Sequence, residues 1–196
     1  ILQSIQTGAI NAGHSASYYY VGVDPITQLS TAVPFGMTAR GHQSWMYEGG
    51  GLELVQNIYR ERFGVVNFPA GNTGCQMGGW FNKEINSVDD LQGLKMRIPG
   101  FGGEVLKKVG GTPVNIPGGE LFTALQSGTI DATEWVGPWN DSFMKFYEAA
   151  KYYYWPGMHE PGAQLSVGMN ASWWGTLTDW EKSVIIAACN EGNAEM

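Results

Sequence analysis

Arg97 is the residue whose type and position best suit the binding of a small anion. It lies in the alternating stretch Lys95-Met96-Arg97-Ile98, where Met96 and Ile98 share one face of a strand and Arg97 takes the other. Because Pro99 follows closely, the arginine is predicted at the carboxyl end of that strand. A guanidinium there can hold a carboxylate through two parallel hydrogen bonds, which lysine cannot reproduce. The alternative is a surface arginine that pairs with a neighbouring acid.

Four further residues could bind a ligand or an ion. Glu134 and Trp135 directly follow another predicted strand. A carboxylate in that place can pair with an arginine or bind a hard cation, and spacing alone favours the structural ion pair. Gln76 and Glu160 fall where the chain is predicted to cross between two lobes, so their side chains are expected to face a ligand cleft. A plain hinge glutamine and a solvated glutamate are the alternatives for these two.

The remaining polar residues form no recognised catalytic or metal-binding motif. The histidines show no ligand spacing and are predicted in loops, and the cysteines are interpreted as buried thiols. The segment Gly100-Phe101-Gly102-Gly103 could cradle an anion through backbone N–H groups, but it lacks the full dinucleotide fingerprint. A nucleotide-dependent enzyme would depend on that segment alone, so the chain is predicted not to be an enzyme. The histidines and cysteines in question are His14, His42, His159, Cys75 and Cys189.

Composition excludes several classes of partner. The 196 residues include 43% hydrophobic and 15% charged residues, enough apolar content for two small lobes with real cores. A net charge of -7 with 11 lysines and arginines leaves no basic stripe for a nucleic acid backbone. Aromatic residues make up 13% and occur in clusters, which either stack on sugars or fill the core. Core packing is the simpler interpretation.

A repeated phrase predicts two similar lobes. Residues Ile5–Ala12 read IQTGAINA and residues Leu125–Ala132 read LQSGTIDA. In each copy a helix end is followed by a glycine suited to positive φ and then by a strand. Ligand sites in such α/β proteins lie at the carboxyl ends of strands and often between domains. The second copy leads to Glu134 and Trp135, so the second lobe is expected to provide most of the ion contacts.

The other elements support this division. Helical spacing predicts a helix over 51–63 that ends at Gly64, then a strand over 65–68 and a turn-rich crossing at 69–74. The stretch 95–133 predicts a β-α-β-α-β order and a largely parallel sheet. A helix over 142–150, a strand over 151–154 and a second crossing at 156–162 follow. The predicted lobes are 1-75 for the first lobe, 76-160 for the second, and 161-196 for the return to the first.

Three motifs in order resemble one known family. Gly71–Phe81, Leu94–Gly100 and Asp131–Pro138 together resemble the substrate-binding protein of tripartite ATP-independent periplasmic (TRAP) transporters, in its 2-oxo acid (α-keto acid) binding branch. The similarity extends over essentially the whole chain. It implies an α/β, two-lobed periplasmic binding protein fold with hinge strands and a central ligand cleft. It also implies a periplasmic location and membrane-embedded TRAP transporter subunits as partners.

The resemblance assigns roles to individual residues. Arg97 is the residue that would clamp the carboxylate of a small organic acid. A metal ion, sodium with calcium as the alternative, would bridge ligand and protein through Gln76, Glu134, the Trp135 carbonyl and Glu160. Gln76 would contact the substrate as well. Two further substrate-binding residues, Tyr20 and Phe35, are expected in the pocket wall.

The chain also departs from the family pattern. It lacks the secretion signal, the first β-α unit and the long C-terminal helices, so it is interpreted as a fragment without its two ends. A homodimer is expected only for the full-length protein, because the missing end supplies the dimer contacts in this branch. The alternative function is a solute-binding protein for a different ligand, a sugar or a dicarboxylate. The sequence does not name the carboxylate.

Overall fold

A computed structural model describes all residues, 1–196, in helices, strands and short connections. The α-helices in chain order are α1 (Leu2–Gln6), α2 (Ala39–Glu48), α3 (Gly51–Phe63), α4 (Gly100–Lys108), α5 (Leu121–Gln126), α6 (Pro138–Met144), α7 (Ala171–Thr176) and α8 (Asp179–Glu195). The strands are β1 (Ala12–Ala16), β2 (Val65–Asn72), β3 (Gly79–Phe81), β4 (Lys95–Arg97), β5 (Thr112–Val114), β6 (Ala132–Thr133), β7 (Tyr152–Tyr154) and β8 (Gln164–Asn170). Short 3-10 helices occupy Ser17–Tyr20, Pro25–Ser30, Val88–Leu91, Gly118–Glu120 and Phe146–Glu148.

The chain forms two compact units. The first unit comprises Ile1–Thr31, Met37–Gly74 and Gly162–Met196, and the second comprises Ala32–Gly36 and Cys75–Pro161. These limits differ from the predicted lobes by one residue at each crossing and by residues 32–36. That short segment groups with the second unit, in which the Phe35 N–H donates to the Met158 carbonyl at 2.9 Å.

The first unit is built on an antiparallel three-stranded sheet with the order β1-β8-β2. Helix α3 has the predicted limits, and Gly64 ends it with a φ of 63°. The predicted end of the following strand at Phe68 is wrong, because β2 continues to Asn72. Pro69 is tolerated there because β2 is an edge strand, and a register shift separates Pro69 from Asn72. The core beneath consists of Leu2, Ile5, Met46, Val55, Tyr59, Phe63 and Val65.

The second unit is built on a five-stranded sheet with the order β5-β4-β6-β3-β7. Strand β4 is parallel to both of its neighbours, so the predicted β-α-β-α-β order is confirmed for β4, β5 and β6. Strand β3 is antiparallel to β6 and β7, which makes the whole sheet mixed. Parallel neighbouring strands end at the same edge of a sheet. Arg97, the last residue of β4, is the register partner of Thr133, the last residue of β6. The residues at the ends of these two strands are therefore held side by side.

The predicted helix over 142–150 is wrong. Helix α6 begins earlier, at Pro138, and ends at Met144. Lys145 has a φ of 56°, in the left-handed region that stops an α-helix, and a short 3-10 turn follows. The earlier start places Asp141 in α6, where its side chain is buried.

The repeated phrase forms the same local structure in both units. Gly8 has a φ of 75° and Gly128 a φ of 74°, each directly after a short helix. The N–H of Ile10 donates to the Ser4 carbonyl at 3.2 Å, and its counterpart Ile130 donates to Ala124 at the same distance. The predicted helix end, positive-φ glycine and strand are therefore confirmed in both copies. The second copy feeds β6 and thereby fixes the position of Glu134.

Candidate functional site

Arg97 is buried at the carboxyl end of β4, with 2% of its surface exposed. Its Nη1 forms an ion pair with Oε1 of Glu134. Its Nε donates to the Ile116 carbonyl at 3.4 Å, beyond β5. The surface alternative considered for this arginine is wrong, since guanidinium and carboxylate are both removed from solvent. A buried charge of this kind persists only when it is paired and hydrogen-bonded.

Glu134 follows β6 and is fully buried. The backbone holds it in place, because its N–H donates to the Arg97 carbonyl at 3.2 Å. The second carboxylate oxygen, Oε2, lies 3.6 Å from Nε2 of His159. Neither of these two atoms has a hydrogen-bond partner. One oxygen of Glu134 is thus used by Arg97, and the other is directed at a further polar group.

Trp135 covers the guanidinium. Its ring centroid lies 5.5 Å from Cζ of Arg97, a distance at which the ring face attracts a cation. Gly118 makes room for the ring, since a Cβ at that position would lie 2.6 Å from the tip of the Trp135 side chain. The tryptophan also packs against the buried cluster that contains Leu121, Leu125 and Phe146.

Gln76 and Glu160 form a second buried pair. Nε2 of Gln76 donates to Oε2 of Glu160 at 2.6 Å, and the Gln76 N–H donates to the Glu160 carbonyl at 3.0 Å. Both side chains are buried, so the alternative of a solvated glutamate is wrong for Glu160. Gly157 donates its N–H to the Gln76 carbonyl at 2.8 Å. This close approach requires glycine, because a Cβ would lie 2.5 Å from that same carbonyl oxygen.

The two pairs meet through His159. Glu134, His159 and Glu160 each place one ligand atom within 4.8 Å of the others. With a neutral histidine, two carboxylates and one guanidinium leave a formal negative charge in a buried place. The carboxylate oxygens are of the hard type that sodium and calcium prefer. The buried, unsatisfied Oε2 of Glu134 therefore fits a bound cation.

Sequence reasoning missed His159. It lies in the segment predicted as the second crossing and is buried, with its Cβ against Gly102. No motif marks it, because its contact with Glu134 joins positions 25 residues apart through the fold of the unit. The one available signal is its place directly before Glu160.

Gly102 and Gly103 allow close packing: a Cβ on Gly103 would lie 2.9 Å from the Ile98 carbonyl oxygen, and one on Gly102 equally close to Cβ of His159. An anion cradle at this segment stays a prediction.

The interpretation of both cysteines as buried thiols is wrong for one of them. Both are free thiols, but only Cys189 is buried, whereas Cys75 is exposed. Burial raises the pKa of the Cys189 thiol.

The two residues predicted in the pocket wall lie outside this cluster. Tyr20 ends a 3-10 helix of the first unit and packs against the core there. Burial raises the pKa of its hydroxyl, and a hydrogen bond with Ser15 opposes that shift. Phe35 has 80% of its surface exposed and a φ of 57°. Their role in substrate binding stays a prediction.

The second unit thus brings a buried arginine and two buried glutamates close together, an arrangement typical of a site for a charged solute. The chain belongs to the bacterial extracellular solute-binding protein family 7 (DctP), whose model matches residues 1–196. The resemblance seen in the sequence and the predicted fold class are thereby confirmed. The family is one of solute-binding proteins, in agreement with the prediction that the chain is not an enzyme.

Particular relatives narrow the class. The chain is 48% identical to the "monocarboxylate 2-oxoacid-binding periplasmic protein all3028" of Nostoc sp. (strain PCC 7120), over 100% of this chain and 54% of that protein. A TRAP periplasmic solute-binding protein of Pseudoalteromonas atlantica, solved with sodium and pyruvate, is 49% identical with a TM-score of 0.94. One from Colwellia psychrerythraea, solved with calcium and pyruvate, is 50% identical with a TM-score of 0.95. Each structure covers 98% of this chain, which spans 58% of each solved chain.

The chain thus spans somewhat more than half the length of the relatives it matches. None of its helices combines the length and apolar character needed to cross a membrane.

Proposed function

We propose that this chain is part of the periplasmic solute-binding subunit of a TRAP transporter, which captures a small monocarboxylate such as a 2-oxo acid together with a metal ion. The single observation that carries the proposal is the buried pair of Arg97 and Glu134 beside Glu160. The relatives with pyruvate and sodium or calcium support it. The membrane permease would then receive the bound acid.

Arg97 would hold the ligand carboxylate. Its guanidinium presents five N–H donors in a planar fork, and Glu134 and the Ile116 carbonyl fix the orientation of that fork. Trp135 limits the movement of the group by lying over its face. A planar donor fork held in this way suits bidentate binding of a carboxylate.

Charge balance explains why a cation would accompany the acid. When His159 is neutral, the cluster has one formal negative charge, and a bound monocarboxylate would then raise the uncompensated charge to two. Such a burial is strongly disfavoured unless a cation offsets it. The two positive charges of a calcium ion would cancel this negative charge of two, and the single positive charge of a sodium ion would halve it. A 2-oxo acid also presents a carboxylate oxygen and a keto oxygen that can chelate one ion together.

The ion would bind among the oxygens of Gln76, Glu134 and Glu160 and the Trp135 carbonyl. Glu134 and Glu160 carry the charge, and the amide and carbonyl oxygens complete an all-oxygen ligand set. When bound, the ion supplies positive charge between protein and ligand. His159, 3.6 Å from Glu134, would orient that carboxylate rather than coordinate a hard cation.

A thermal-shift panel tests the proposed function. Pyruvate, lactate, longer 2-oxo acids, dicarboxylates and neutral sugars are each added to metal-depleted protein without a cation, with sodium and with calcium. Because a ligand that binds only the native state raises the melting temperature, 2-oxo acids should give the largest shift, and only with a cation. A larger shift with sugars or dicarboxylates would reject the 2-oxo acid assignment in favour of the alternative ligand class.

The setting of the protein is part of the same proposal. The family description and the relatives support a periplasmic location and a partnership with membrane-embedded TRAP subunits. A homodimer of the full-length protein stays a prediction. We expect the permease to co-purify with the full-length, pyruvate-loaded protein when the membranes contain the TRAP subunits. Membranes that contain only a sugar transporter should give no co-purification.

A further inference from the structure

The carboxylate of Asp141 is fully hydrogen-bonded and contacts the segment that follows the candidate ion ligands Glu134 and Trp135. Asp141 lies in α6, only 1% of its surface is exposed, and its carboxylate accepts four hydrogen bonds. Oδ1 accepts from the backbone N–H groups of Val136 and Gly137 at 3.0 and 3.1 Å. Oδ2 accepts from the Trp80 indole N–H at 3.0 Å and the Tyr153 hydroxyl at 2.8 Å. Val136 and Gly137 follow Glu134 closely in the chain, Trp80 lies in β3 beside β6, and Tyr153 lies in β7 on the other side of β3.

The contact with Val136 matters because of the peptide group to which that N–H belongs. The Val136 N–H and the Trp135 carbonyl are the two ends of one peptide unit. A trans peptide is planar, so its N–H and C=O point in opposite directions. An aspartate that fixes the N–H therefore fixes the direction of the Trp135 carbonyl, the backbone ligand of the proposed ion.

A second contact holds the same turn from the other side. The Met77 N–H donates to the Val136 carbonyl at 2.9 Å, directly after Gln76. Val136 is therefore held at both its N–H and its carbonyl, by Asp141 and by the neighbour of another proposed ion ligand. The turn after Glu134 cannot rotate without breaking one of these bonds.

Two aromatic donors to Asp141 are held rigidly against each other. The rings of Trp80 and Tyr153 stack with centroids 3.9 Å apart and an interplanar angle of 13°. Burial, then the hydrogen bond to Asp141 and its negative charge, raise the pKa of the Tyr153 hydroxyl, so Tyr153 remains a donor. An anionic acceptor on the N–H side polarises the peptide and makes its carbonyl oxygen a better ligand.

We propose that Asp141 is a positioning residue, which orients and polarises the Trp135 carbonyl toward the bound cation. The inference rests on the proposed function, because it concerns the same ion. It differs from a purely structural role, in which Asp141 would only join α6 to β3 and β7. A structural role predicts a loss of stability without a selective loss of cation affinity.

Calorimetric titration of calcium and of sodium into the metal-depleted protein, with saturating pyruvate, separates these roles. Asp141→Asn keeps the side-chain size but removes the charge and places an amide donor opposite the Trp80 N–H or the Val136 N–H. We expect its cation Kd to rise roughly 10- to 100-fold, as for other residues that orient metal ligands. Tyr153→Phe is the matched control: it removes one bond to Oδ2, lowers the melting temperature, and should leave the cation Kd within about threefold.

The outcomes are distinct. If the wild-type protein binds neither cation nor pyruvate, the proposed function fails, and this inference fails with it. If the wild type binds both and Asp141→Asn has an unchanged cation Kd, only the positioning role is overturned. Equal losses of affinity in Asp141→Asn and Tyr153→Phe would also overturn it, since they would reflect stability alone.

A measurement on the wild-type protein covers the case in which Asp141→Asn does not fold. The backbone 15N resonance of Val136 is followed by NMR during a calcium titration with pyruvate present. Coordination by the Trp135 carbonyl should shift this resonance with the same Kd as calorimetry gives. A Val136 resonance that stays unchanged while calorimetry reports binding would contradict the inference.

Discussion

Arg97 and Glu134 form a buried ion pair at the adjacent ends of two parallel strands, and the Glu134 N–H donates to the Arg97 carbonyl. The backbone and the side chains thus join the same two residues. In the proposed function, this arrangement would present a guanidinium to an anion away from water. The second oxygen of Glu134 lies 3.6 Å from His159 and would also bind the cation.

Removing the arginine should strongly destabilise the protein even without ligand. In Arg97→Met the buried Glu134 carboxylate loses its partner, which costs about 3–5 kcal/mol in comparable pairs. The control is Arg62→Met, which breaks the largely exposed pair with Asp24 and should cost about 1 kcal/mol or less. Urea unfolding of the two variants measures both values. Equal costs would contradict the view that the buried pair stabilises the site.

Replacing the arginine by lysine should separate stability from ligand binding. Arg97→Lys keeps a charge near Glu134 but loses the planar donor fork, so pyruvate should bind at least about tenfold more weakly. Calorimetry with the cation at saturation measures this change. Arg60→Lys, on the exposed side of α3, serves as the control and should bind as the wild type does. Wild-type affinity in Arg97→Lys would remove the carboxylate role from Arg97.

Gly157 should tolerate no side chain. A Cβ would lie 2.5 and 2.6 Å from the carbonyl oxygens of Gln76 and Met77, and backbone cannot yield as a flexible side chain does. Gly157→Ala is expected to cost about 1–3 kcal/mol of unfolding free energy and to weaken cation binding by displacing Gln76. Gly119→Ala, where no atom lies within 4 Å, should stay within about 0.5 kcal/mol of wild type. A silent Gly157→Ala would show that the Gln76 segment is not held as described.

Tyr153 should make stability depend on pH in the alkaline range. Its folded pKa is raised above the ordinary value of 10.0, so the folded state keeps a proton that the unfolded state loses. The contribution of the hydroxyl is complete below pH 10 and is lost as the pH rises above that value. The difference in unfolding free energy between wild type and Tyr153→Phe should therefore fall by about 1.4 kcal/mol per pH unit above pH 10. A difference that is constant from pH 9 to 11 would contradict the burial of this hydroxyl beside Asp141.

Local patterns predicted most of the fold. The repeated phrase predicts its own local structure correctly, because a glycine with positive φ after a helix depends on only a few adjacent residues. Gly8 and Gly128 both have a positive φ. Alternation and proline placed Arg97 at the end of β4 for the same reason. The sequence patterns mispredict two segments whose structure depends on the rest of the fold. Pro69 lies inside an edge strand, and Lys145 ends a helix although the segment has an ordinary helical composition.

The candidate site was predictable in part. Strand ends, crossings and family resemblance point to Arg97, Gln76, Glu134 and Glu160, and the structure buries all four within the second unit. His159 and Asp141 were not found, because each acts through contacts between distant parts of the chain. No spacing rule reports a carboxylate that accepts four bonds from three separate segments.

The central claim is that one buried cluster binds a 2-oxo acid and a cation together. A crystal structure of the protein with pyruvate and calcium, with the ion located by anomalous scattering, tests it most directly. We expect the calcium at about 2.3–2.6 Å from oxygens of Gln76, Glu134, Glu160 and the Trp135 carbonyl. The pyruvate carboxylate should contact both the ion and Arg97. Calcium bound elsewhere, or a pyruvate whose carboxylate does not reach Arg97, would contradict the account.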